Sequence, residues 1–123
     1  MIGSFEEATA FALSLPDTVL DRHYGAPAVK VASNGRAFLV TSRESDTSFG
    51  LAIDLDSKEM LIETDPETFW QTPHYEGWPM VLVRYGSADA ERVRATIERA
   101  RDWAAARPKP KARKGSAKTS RSG

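Results

Sequence analysis

The chain has 123 residues, 17 basic and 17 acidic side chains and no cysteine. This is enough for one domain with a core of its own, and it excludes disulfides, thiolate metal sites and a cysteine nucleophile. The zero net charge conceals a division: Met1 to Arg107 carries 11 basic against 17 acidic residues, a net of −6, while Pro108 to Gly123 carries six basic residues and no acid.

The N-terminus has two acids within its first seven residues and no basic leader, and no window approaches the roughly 20 apolar residues of a membrane span. A cytoplasmic protein without membrane contact is the expectation. Ser4 with Glu7 forms a capping box, and Phe5, Ala8, Phe11, Ala12 and Leu15 share a helical face until Pro16 ends the run, which predicts a helix over 4–14. Thr18 to Tyr24 reads as an extended strand. Ala28 to Val40 reads as a hairpin around Ser33-Asn34-Gly35-Arg36, because Asn-Gly is the favoured pair for a two-residue type I′ turn. Pairing across that turn sets Val31 opposite Phe38 and Val29 opposite Val40 on one apolar face, with Lys30 on the other. A second hairpin turns through Arg43-Glu44-Ser45-Asp46 and returns along Phe49, Leu51 and Ile53 with period two.

Asp56, with Glu59 three residues on, predicts the start of a short helix, and Asp65-Pro66 the start of another. Met80 to Tyr85 is an apolar strand. Ser87 is placed to cap a long last helix with the buried stripe Ala90, Val93, Ile97, Ala100 and Ala104, leaving Arg92, Arg94, Arg99 and Arg101 in water. The expected fold class is α+β, an antiparallel sheet of hairpins flanked by N- and C-terminal helices. The last segment, 108–123, has no large apolar residue, so it is expected to be a disordered basic tail after a domain over 1–107.

Catalytic constellations are scarce. His23 and His74 are the only imidazoles, and no H-E-x-x-H, G-x-S-x-G or glycine-rich phosphate loop is present. Asp54, Asp56 and Glu59 start like a calcium loop but lack its glycine and later ligands, so capping explains them. No enzyme activity, metal or cofactor is expected. The chemistry-bearing stretch is Asp65 to Arg84, where His74, Tyr75 and Trp78 sit in a loop stiffened by Pro73 and Pro79.

The runs HYGAPAVKV at 23–31, DPETFW at 65–70 and TPHYEGWPMVLVR at 72–84 resemble the MmcQ/YjbR family of small bacterial proteins, described as DNA-binding, and the likeness spans residues 4 to about 107. The resemblance implies a frataxin/CyaY-like two-layer sandwich in which two β-hairpins act as a double wing on DNA. On that reading Arg36 and Arg43 meet phosphates from the hairpin tips, with Lys30 and Arg84 nearby as further basic groups. Tyr75 and Trp78 then stack or wedge beside His74, and Lys109, Lys111, Arg113 and Lys114 of the tail add salt-sensitive affinity. Glu44 and Asp46 share the second tip with Arg43 and oppose it there. The alternative is a small-ligand or protein-interaction domain with a pocket around His74, Tyr75 and Trp78, joined by Lys30 and Arg84. A monomer and a weak dimer fit the sequence equally.

Overall fold

The structure is a computed structural model that describes residues 2–110. Helix α1 (Phe5–Leu13) starts where expected: the Ser4 hydroxyl accepts from the Glu7 backbone N–H, and the Glu7 carboxylate reaches back to the N–H of Gly3 rather than that of Ser4. The strands are β1 (Thr18–His23), β2 (Ala26–Val31), β3 (Ala37–Thr41), β4 (Ser48–Ala52), β5 (Phe69–Trp70) and β6 (Met80–Arg84). Helix α2 (Leu55–Thr64) joins β4 to β5, and α3 (Ala90–Ala105) follows β6. All strand pairs are antiparallel, and the sheet order is β1-β2-β3-β4-β6-β5. The α+β expectation holds, with the two terminal helices packed on one face of the sheet.

That face carries the core. Val29, Leu39, Leu51 and Val81 stand abreast across four strands, with Phe49, Val83 and Phe69 in the next row. Against them lie Ala8 and Ala12 of α1 and Val93, Ile97, Ala100 and Ala104 of α3, all buried. Alanine at these positions lets both helix backbones approach the sheet closely, so that Phe38, Phe49 and Phe69 fill the space between the layers.

Several local expectations are corrected. Lys30 pairs with Ala37 and Val29 with Leu39, so Phe38 is an extra residue in β3, not the partner of Val31. The bulge turns Phe38 and Leu39 both into the core, which a regular register would forbid, and places Ala28 rather than Val29 opposite Val40. The two-residue turn with positive φ at both positions is Tyr24-Gly25 (φ 53° and 81°), between β1 and β2. At Asn34-Gly35 only the glycine is left-handed, and the loop closes through Gly35 N–H to Val31 O.

Helix α2 is capped by Asp54, whose carboxylate accepts from the Ser57 N–H, two residues before the expected start. Asp65 terminates α2 instead of opening another helix, because the chain turns at once into the edge strand β5. Asp89, not Ser87, caps α3; the Ser87 hydroxyl instead accepts from the Asp89 N–H and pairs with Thr68. Of the four arginines expected in water, Arg99 is exposed and Arg92, Arg94 and Arg101 are half-buried.

Beyond the core face, Gly50 of β4 is crossed by neighbouring side chains. A Cβ built there would lie 2.8 Å from Val40 Cγ2 and 3.2 Å from Met80 Sδ. Gly50→Ala is therefore expected to destabilise the fold by about 1–3 kcal/mol through overpacking. Urea unfolding reads this as a lower midpoint at unchanged slope, and an unchanged midpoint would show that Val40 and Met80 yield freely.

Candidate nucleic-acid interface

The β1–β2 hairpin and the C-terminal end of α3 together build a basic cleft. The Tyr24-Gly25 turn is held by Arg22, whose Nη1 donates to the Gly25 carbonyl at 2.7 Å. Tyr24 is the most exposed large hydrophobic side chain among the described residues, at 91%, and its ring meets that of His23 edge to face at 4.5 Å. On the neighbouring strand Lys30 Nζ lies 3.4 Å from Asp21 Oδ2. The backbone N–H of Arg22 first, and the Lys30 ammonium second, hold the Asp21 carboxyl below its usual range.

The far end of the hairpin is tied to α3. The Asn34 side-chain amide donates to the carbonyls of Ala104 at 2.9 Å and Arg107 at 3.0 Å, adding to the backbone bond that Ala104 O already accepts from the Arg107 N–H. Arg36 Nε donates to Pro108 O at 2.7 Å, and the Arg107 guanidinium lies 4.4 Å from the centre of the Trp103 ring. An Asn-Gly pair read as a turn former thus acts as a clasp between elements 70 residues apart.

Between these parts lies a cavity of about 590 Å³ lined by Arg22, His23, Tyr24, Lys30, Gly35, Arg36, Ala37, Ala52, Trp103, Ala104, Arg107 and Pro110. The lining takes residues from both ends of the β1–β2 hairpin, so the cleft is elongated along it. Four permanent cations point to an anionic ligand. Arg36 loses some basicity through burial and the nearby Arg107 charge, yet stays protonated at neutral pH. His23 is held below its ordinary value of 6.5 by burial first and by Lys30 second. It is therefore mostly neutral at pH 7 and adds charge to the cleft only on acidification. Because its folded pKa is the lower one, that protonation costs folding stability below pH 6.5, while a bound anion favours it.

Of the site residues expected from sequence, Lys30 and Arg36 come together here. The others do not. Arg43 is exposed on the β3–β4 turn. Consecutive hairpin tips lie at opposite ends of the strand they share, so Arg36 and Arg43 are separated by β3, about 20 Å at strand rise. Arg84 is engaged within the fold: its guanidinium sits 4.5 Å over the Trp70 ring and donates to the carbonyls of Pro66 and Glu67.

His74 and Tyr75 lie on a single 3₁₀ turn (Pro73–Tyr75), His74 exposed and Tyr75 half-buried, and Trp78 follows at 64% exposure. Neither the basic cleft nor a second cavity of about 170 Å³ between α2 and α3 is lined by these three residues. Their loop is anchored from below by Lys58, 2% exposed, whose ammonium donates to the carbonyls of Tyr75 at 2.7 Å and Trp78 at 2.8 Å. Lys109 is exposed and is not among the lining residues, and Lys111, Arg113 and Lys114 lie outside the described residues.

Arg22, Trp103 and Arg107 were missed as site residues. The first sits in a strand with no pattern, and the other two join the site only through the Asn34 clasp. For Arg22 the signal available was its place two residues before Tyr24, immediately ahead of the HYGAPAVKV run.

The architecture is that of a small α+β domain in which α1 and α3, with α2 beside α3, cover one face of a six-stranded antiparallel sheet. The YjbR family model matches residues 13–103, and the chain belongs to that family. Comparison with curated proteins and with solved structures returned no match. Among the described residues no helix is long and apolar enough to cross a membrane.

Proposed function

We propose that the protein is a non-catalytic nucleic-acid-binding module that engages phosphates through the cleft between the β1–β2 hairpin and α3. The observation that carries this reading is the convergence of Arg22, Lys30, Arg36 and Arg107 on one elongated cavity of a body whose remaining charge is acidic. Such a distribution confines a polyanion to one place, since the acidic surroundings repel it elsewhere. The basic C-terminal segment follows directly in sequence on Pro110, the last residue of the lining. Binding by the hairpin tips as paired wings is less favoured, because Arg36 and Arg43 lie at opposite ends of β3 and Arg43 is beyond the cleft lining.

Fluorescence anisotropy with a labelled DNA oligonucleotide across a salt series tests this. With three or four phosphates neutralised, log K should fall against log salt with a slope of about −2 to −4. A chain ending at Pro110 should retain most of that slope. Loss of all binding in the shortened chain would assign the affinity to the basic tail alone and remove the cleft from the interface.

A further inference from the structure

Resting on that reading of the cleft, we infer that its ligand is an unpaired strand, taken with bases stacked on aromatic side chains, rather than a continuous duplex. The cleft has an aromatic residue at each end: Tyr24 at the turn of the β1–β2 hairpin, and Trp103 beside the end of α3 clasped by Asn34. Between them lie Lys30 and Arg36, with Arg22 beside Tyr24 and Arg107 on the Trp103 ring. Cations along a groove with stacking platforms are what a single strand requires, since its backbone needs charge and each of its bases has a free face. A duplex hides those faces and offers only phosphates.

Tyr24 strengthens the case. A tyrosine at φ 53° occupies a conformation that disfavours bulky side chains, and its ring is 91% exposed, so packing within the fold does not account for it. The cavity points the same way, because its lining runs from the turn of the β1–β2 hairpin to the β2–β3 loop and the end of α3. The Arg107 guanidinium lies over the half-buried Trp103 ring at 4.4 Å, so positive charge and aromatic surface are offered together at that end of the cleft.

The test uses the full chain and anisotropy of a labelled oligothymidylate against a blunt duplex of the same length, with the variants Tyr24→Asn and Trp103→Leu. Asparagine tolerates the left-handed conformation and so preserves the turn, and circular dichroism checks the fold of both variants. The expected result is at least roughly tenfold tighter binding of the unpaired strand, a roughly tenfold loss for that strand in Tyr24→Asn, and little change for the duplex. Equal or tighter duplex binding, or an unpaired-strand affinity untouched by Tyr24→Asn, would overturn the inference and leave a simple phosphate site. Absence of binding to both forms would overturn the cleft reading itself. In folded Trp103→Leu, unchanged unpaired-strand affinity would remove Trp103 as a platform and overturn the two-ended arrangement.

Discussion

A triple variant, Arg22→Ala/Lys30→Ala/Arg36→Ala, is expected to bind an oligonucleotide on the order of 10²-fold more weakly at low salt, with its salt slope reduced by about 2 to 3. The three side chains come from β1, β2 and the β2–β3 loop and share one cavity, so each removal deletes a cation from the same small volume. Their structural duties are light: one exposed bond to Gly25 O, one ion pair with an exposed Asp21, and one exposed bond to Pro108 O. Affinity should therefore change far more than stability. Asp21→Asn is the control of opposite sign, because it frees Lys30 from its carboxylate partner and should tighten binding. Anisotropy titrations of the wild type, the triple variant and Asp21→Asn at several salt concentrations decide the matter. A slope that stays at the wild-type value in the triple variant would rule the cleft out.

The second large effect concerns Lys58. Lys58→Met keeps the bulk of the side chain but removes the donor that reaches Tyr75 O and Trp78 O, and it should destabilise the fold by about 1–3 kcal/mol. The cost is limited because both carbonyls keep a backbone donor, Trp78 N–H to Tyr75 O and Met80 N–H to Trp78 O. Burial pushes the Lys58 ammonium down from its ordinary value, with Glu76 and Glu59 opposing the shift. Folding thus disfavours the charge, and this penalty is relieved as pH rises toward 10.5. The 73–79 loop should become the first site of protease attack in the variant. If Lys58→Met unfolded at the wild-type denaturant midpoint with the loop still protected, the loop would be held by its backbone bonds alone.

Much of the fold is legible in local sequence. Ser4 with Glu7, the period-two run at Phe49 and Leu51, and the stripe through Val93, Ile97, Ala100 and Ala104 all act through neighbours within a turn or a strand. The failures come from competition between local signals and distant partners. Asp65-Pro66 carries a helix-start signature, yet Phe69 is drawn into the core beside Val83 and the segment becomes an edge strand. The Val29–Lys30 register depends on how Phe38 and Leu39 pack beneath α3, which no pairwise pattern encodes. Asn34 was legible as a turn residue, while its actual acceptors lie on α3. For that reason Lys30 and Arg36 were found from sequence, and their companions Arg107 and Trp103 were not.

The exit of α3 also sets the terms of attachment for the rest of the chain. Pro108 is gripped by Arg36 and Pro110 lines the cleft, so everything downstream is joined covalently at the doorway of the site. On the proposed reading, cations carried there would meet a bound strand at an effective concentration on the order of millimolar, whatever the protein concentration, so that contacts too weak to matter singly would combine as avidity. The same doorway makes the C-terminus a poor place for a bulky fusion partner or label.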